Sequence, residues 1–129
     1  MVENTPANIL VVDDDRLTGW AIGKGLAEQQ LPFRVVTTGT EAREAFRSSR
    51  FDLVFLDLNL PDADGIDLLG EIREISPGTR VVIVTGDVTD ANREAARKAG
   101  ADRFVEKPFD LALIRFLAST LLREARRTQ

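Results

Sequence analysis

Asp13, Asp14, Asp57, Thr85 and Lys107 have the side-chain types and the spacing to do chemistry together, because each lies at or just past the end of a short apolar run. Asp13 to Asp15 follow Ile9–Val12, Asp57 follows Leu53–Leu56, Thr85 follows Val81–Val84, and Lys107 comes after Arg103–Val105. If the runs are parallel strands, residues just beyond them gather along one sheet edge, where such folds bind ligands. Up to three carboxylates would then meet, and each pair at about 4 Å repels by roughly 4 kcal/mol at an effective dielectric of about 20. A cation must compensate. A hard divalent ion held by oxygens fits, and one that keeps waters while touching a phosphate describes Mg²⁺ better than Ca²⁺. Lys107 adds a fixed positive charge. Beside a metal and an ammonium, Asp57 is placed to attack a phosphoryl group and form an acyl phosphate. Phosphoryl transfer asks mainly for positioning and charge stabilisation, for which a Thr85 hydroxyl, Lys107 and a metal suffice.

What the sequence lacks narrows the chemistry further. The 129 residues contain no His and no Cys, which removes the commonest general base, a thiolate nucleophile, disulfides and sulfur-based zinc sites. Seventeen Lys and Arg against twenty-one Asp and Glu give a net charge of -4, which argues against a phosphate-seeking surface, so no direct nucleic-acid binding is expected. No apolar run approaches the roughly 18 residues of a membrane span, and Met1 to Ala7 lack the basic-then-apolar pattern of a leader. A cytoplasmic protein is expected.

The elements that must position these residues follow from hydrophobic periodicity. Ile9–Val12, Leu53–Leu56 and Val81–Val84 are short, apolar and bounded by polar residues, as suits central parallel strands covered on both faces. Phe33–Thr37 and Arg103–Val105 carry polar interruptions, which a sheet edge tolerates better. Between them lie five helical stretches: one opening with Leu17, Ala21 and Ile22, and Glu41–Phe46 with Thr38 and Glu41 spaced as a capping box. A third has Ile66, Leu69, Ile72 and Ile75 on a shared face and is stopped by Pro77 and Gly78. Ala91–Ala99 ends at Gly100, and Leu113, Ile114, Leu117, Leu121 and Leu122 mark a fifth with Asp110 as its N-cap. Strand and helix alternate five times, which predicts a single α/β domain over 1–129, with helices on both faces of a five-stranded parallel sheet. Its core is expected over about 7–122, and 123–129, with three arginines, read as a frayed helix end or a tether.

Four ordered motifs resemble the receiver domain of bacterial two-component response regulators: Ile9-Leu10-Val11-Val12-Asp13-Asp14-Asp15; Asp57-Leu58-Asn59-Leu60-Pro61 with Gly65; Val84-Thr85-Gly86; and Lys107-Pro108-Phe109. The resemblance covers essentially the whole chain. It implies the flavodoxin-like strand order 2-1-3-4-5, for which a receiver is itself a standard example. It further implies that Asp57 is the phosphoacceptor, and that Asp13, Asp14, Asp57 and the Asn59 carbonyl hold Mg²⁺. Thr85 and Lys107 would contact the phosphoryl oxygens. Thr85 and Phe104 would be the switch pair, with Phe in place of the Tyr often found there. A cis bond between Lys107 and Pro108 is implied as well. The resemblance also names partners. A chain without histidine cannot carry a phosphohistidine, so a sensor histidine kinase or phosphotransfer protein would donate in trans. Output would pass through the surface of the fourth helix, fifth strand and fifth helix, where Leu113, Phe116 and Leu122 suggest a second copy or an effector. The chain is expected to catalyse its own phosphorylation and dephosphorylation without being a turnover enzyme.

Other readings meet specific obstacles. An aspartate-nucleophile phosphatase usually places a second aspartate two residues after the nucleophile, and Asn59 there cannot donate a proton as a general acid. A flavin carrier would need phosphate-cradling hydroxyls and amides where the first loop offers aspartates. A receiver-like scaffold working without phosphorylation is disfavoured by the intact residue set. Asp62, Asp64, Gly65 and Glu71 fall at EF-hand positions, but Leu60 and Pro61 occupy the start of that loop. Gly19, Gly23 and Gly25 have the wrong spacing for a dinucleotide fingerprint. Trp20 is expected to pack against a neighbouring helix.

Overall fold

A computed structural model describes residues 7–127. Five strands, β1 (Ile9–Val12), β2 (Phe33–Val36), β3 (Leu53–Leu56), β4 (Arg80–Thr85) and β5 (Arg103–Glu106), alternate with five helices. These are α1 (Arg16–Glu28), α2 (Gly39–Ser48), α3 (Gly65–Ile75), α4 (Asp90–Ala99) and α5 (Leu111–Arg127). The sheet is parallel throughout, in the order β2-β1-β3-β4-β5. β1 and β3 are buried along their full length, whereas β2 and β5 at the edges expose most of theirs, as their mixed composition requires.

Alternation along the strands divides the core in two. Ile9, Val11, Leu53, Phe55, Val82, Val84 and Val105 face α1 and α5. Leu10, Val12, Val54, Leu56, Val81 and Ile83 face α2, α3 and α4. The period of two therefore puts helices on both faces and leaves the strand ends as the open edge.

Local chemistry fixes the helix starts. Asp15, Thr38, Asp64 and Thr89 cap α1 to α4 by accepting from backbone N–H groups in the first turn, and Asp110 accepts from Ala112 at the start of α5. Glu41 reaches back beyond the cap to the N–H and hydroxyl of Thr37, so the capping box is displaced by one residue. α2 is longer than its apolar pattern suggests because Thr38 starts it directly at Gly39.

Three packing expectations are corrected. Trp20 is 61% exposed and its ring lies under the Lys24 ammonium, because α1 turns Gly19 and Gly23 toward β2 and Trp20 outward. Ile75 is 64% exposed at the end of α3, where Leu68, Leu69 and Ile72 form the buried stripe. Leu122 is a core residue, leaving Leu113 and Phe116 as the exposed apolar pair of α5. The stretch 123–129 is helical as far as Arg127 and buries Ala125, while residues 128 and 129 lie outside the described residues. None of the described helices is long and apolar enough to cross a membrane.

Candidate functional site

Strand hydrogen bonding carries the reactive residues to one edge. Asp13 N–H donates to the Val36 carbonyl, Asp57 N–H to Val12, and Lys107 N–H to Thr85, so each residue's backbone is fixed by the neighbouring strand. Asp13 and Asp57 are buried and Asp14 is exposed, and one carboxylate oxygen from each lies within 4.8 Å of the others. Lys107 is set between the two buried ones, its Nζ 2.8 Å from Asp13 Oδ2 and 3.1 Å from Asp57 Oδ2. The Lys107–Pro108 peptide bond is cis.

The remaining carboxylate contacts are local. Asp13 Oδ1 accepts from Asp15 N–H, whereas its buried Oδ2 has the charge of Lys107 nearby but no well-directed hydrogen bond. Burial first, then the Asp57 charge, raises the Asp13 carboxyl, and the partial relief from Lys107 and the Asp15 amide leaves it at about 6. Burial works against the Lys107 ammonium, but its close contact with the Asp13 carboxylate, followed by that with Asp57, outweighs it and holds its pKa above the ordinary value. Two converged acids with one lysine between them leave a surplus of negative charge. The all-oxygen donor set, in which one buried Asp13 oxygen is met by the Lys107 charge without a directed hydrogen bond, fits a hard divalent cation.

Asp15 takes no part in this cluster. Its side chain caps α1 and accepts from the Thr18 hydroxyl at 2.9 Å, a contact that holds its pKa below the usual range. Thr85 is fully buried, and its hydroxyl accepts from Asp87 N–H at 3.1 Å. Asn59 is exposed at the mouth, its amide 3.4 Å from Asp87 Oδ2. Phe104 sits beside Ile83 in the β4–β5 register, two residues before Thr85, and faces the α4 side of the sheet half-buried. Sequence reasoning missed the Arg93 guanidinium, which lies 4.8 Å from the centre of that ring. An exposed arginine on a helix carries no signal of such a contact.

Gly65 shapes the loop after Asp57. Its N–H donates to the Leu58 carbonyl, and a Cβ added there would stand 2.5 Å from both the Asp57 carbonyl and Leu58 Cα. Only backbone movement could relieve that clash. Gly65→Ala is expected to destabilise the fold by about 1–3 kcal/mol and to displace the Asp57 loop. Urea denaturation checks this, and an unchanged midpoint contradicts it.

The decoy acids have other duties. Asp62 accepts from the Thr40 hydroxyl and from the Gly39 and Thr40 amides, which lower its carboxyl to about 2. Glu71 forms a two-pronged ion pair with Arg43, at 2.9 and 2.8 Å. Asp64 caps α3. The EF-hand spacing is therefore coincidental.

Comparison with known proteins agrees with this geometry. The family described as "Response regulator receiver domain" matches residues 9–118. The chain is 32% identical over 121 residues to the probable transcriptional regulatory protein TcrX of Mycobacterium tuberculosis, covering 94% of this chain and 52% of TcrX. It is 38% identical over 103 residues to the response regulator protein PmrA of Pseudomonas aeruginosa, covering 80% of this chain and 47% of that protein. It thus spans about half the length of these curated relatives. Among solved structures, a CheY-like receiver domain protein from Methanospirillum hungatei superposes with a TM-score of 0.92 at 26% identity, over 97% of this chain and 100% of that one. The BeF3-activated DrrB receiver domain gives 0.86 at 28% identity, over 92% and 99%.

Proposed function

The chain belongs to the response regulator receiver family, and we propose that it works there as a phosphoacceptor, with Asp57 as the residue that takes the phosphoryl group. The observation that carries this reading is the Lys107 ammonium, held 3.1 Å from Asp57 and 2.8 Å from Asp13 at the C-terminal edge of the sheet. An Asp57 carboxylate oxygen attacks phosphorus, the bond from phosphorus to the donor's leaving group breaks, and the leaving group departs with that electron pair. The donor would be a phosphohistidine of a sensor kinase or phosphotransfer protein, as family membership implies, and the 129 residues themselves contain no histidine to supply one.

Asp13, Asp14 and Asp57, with the Asn59 carbonyl, would hold Mg²⁺, which supplies positive charge to the phosphoryl oxygens. Lys107 supplies a second charge there, and the Thr85 hydroxyl, which accepts from Asp87 N–H, donates its own proton to a phosphoryl oxygen. That new bond biases a two-state equilibrium read at α4, β5 and α5, where Leu113 and Phe116 offer apolar surface to a second copy or an effector.

Incubation with acetyl phosphate and Mg²⁺ followed by intact mass tests the reading. One phosphoryl adduct that hydroxylamine removes is expected, because an acyl phosphate is open to nitrogen nucleophiles. An unmodified chain at saturating donor opposes it.

Asp13 gives a pH dependence. Its proton competes with the metal, so Mg²⁺ affinity is expected to fall about tenfold per pH unit below the Asp13 pKa of about 6. Affinity that stays flat between pH 7 and pH 5 contradicts this. Without metal the sign for stability is the opposite of a paired acid's. The folded carboxyl binds its proton more tightly than the ordinary value of 3.8, so the metal-free fold gains stability as pH falls from about 6 toward 3.8.

A further inference from the structure

The α4 helix is held to the body of the protein unevenly. Ala96 is its only buried residue, where α3 buries Gly65, Leu68, Leu69 and Ile72. Its C-terminal end is pinned: Arg73 on α3 donates from Nε to the Gly100 carbonyl at 2.8 Å and from Nη2 to Asp102 Oδ2 at 2.6 Å. Asp102 also accepts from Val81 N–H on β4 at 2.8 Å, and Gly100 turns the chain with a φ of 102°. The N-terminal end has mainly its own loop for support, through Thr89 to Asn92 N–H and Asn92 to the Asp87 carbonyl. Between the two ends, the Arg93 guanidinium ties α4 to β5, lying 4.8 Å from the centre of the Phe104 ring. Arg93 forms no salt bridge among the described residues, so the aromatic face is its partner.

We propose that Arg93 is a latch, holding the Phe104 ring on the α4 side in the unphosphorylated chain so that phosphorylation must release it. The inference rests on the phosphoacceptor reading and adds a positioning residue that acts through Phe104. A pinned C-terminal end, a single buried residue and a cation on an aromatic face make a helix that can swing about Gly100 once the contact opens. Room exists for the change beside Thr85: a Cβ at Gly86 would meet no atom within 4 Å. The cation is exposed, so the contact biases the two states by a small factor, about two- to fivefold.

Arg93→Met keeps a flexible side chain that favours helix but removes the cation, and Arg93→Lys retains it. The measurement is the affinity for beryllium trifluoride with Mg²⁺, alongside the ring signal of fluorinated Phe104, assigned with Phe104→Leu. Arg93→Met is expected to bind the phosphoryl mimic about two- to fivefold more tightly than wild type. Its Phe104 signal in the free protein moves toward the mimic-bound position, and Arg93→Lys stays close to wild type in both. A merely structural loss would weaken binding. If wild type binds the mimic and Arg93→Met binds it equally or more weakly, the latch alone is overturned. If wild type does not bind it, the phosphoacceptor reading fails and the latch falls with it.

Discussion

Replacing Asp57 with asparagine is expected to lower phosphoryl uptake from acetyl phosphate by about 10³-fold or more, as removal of a nucleophile does. The carboxamide fills the same space and keeps the backbone hydrogen bond to Val12, so the variant folds, but its oxygen lacks the charge needed to attack phosphorus. The other acids of the cluster cannot readily substitute. Asp13 is buried and tied on one oxygen to Asp15 N–H and on the other to the Lys107 charge, which leaves it poorly placed to attack. Asp14 is exposed at the rim. Intact mass with hydroxylamine treatment reads the result. A labile adduct that persists in Asp57→Asn would move the acceptor to another carboxylate and refute the assignment.

Lys107→Met should have the next largest effect, in two separable parts. Uptake is expected to fall about 10²- to 10³-fold, the loss seen when one fixed charge-stabilising donor leaves a reaction site. The metal-free fold is expected to lose about 3 kcal/mol at pH 7, because Asp13 and Asp57 stay buried without their shared cation. Methionine preserves most of the stem's packing, so the loss reports charge and not volume. Adding Mg²⁺ or lowering the pH toward 5 should restore much of the stability, since either neutralises the surplus charge. Thermal melts with and without Mg²⁺ give the comparison. A variant as stable as wild type in metal-free buffer would show that the acids tolerate each other unaided.

The parts of the fold legible in the sequence are those that burial dictates. Ile9–Val12 and Leu53–Leu56 are apolar throughout because both of their faces are covered, and they emerge at the expected bounds. Phe33 and Arg103 begin the two edge strands for the complementary reason. Site residues were legible because a parallel sheet delivers strand ends to one edge, and Asp13, Asp57 and Lys107 do meet there. Periodicity does not give the strand order, which only the resemblance implies, since a run of four apolar residues says nothing about its neighbours.

Tertiary choices left no comparable trace. Trp20 is apolar and helical, yet whether it faces in or out depends on the rotation of α1, which Gly19 and Gly23 set by approaching Val35 and Phe33. Asp62 looks like a loop acid, and its role at the start of α2 depends on a contact across 22 and 23 residues. Arg73 is likewise an ordinary helix residue in the sequence, but its guanidinium joins α3 to Gly100 and Asp102.

Titration of Mg²⁺ into the wild-type chain by calorimetry at neutral pH, run at two temperatures, bears most directly on the claim that this acidic pocket is completed by a metal. One ion bound in the millimolar range or tighter, and weakened in Asp13→Asn, is the result expected. No divalent cation bound at either temperature would contradict the mechanism while leaving the topology intact.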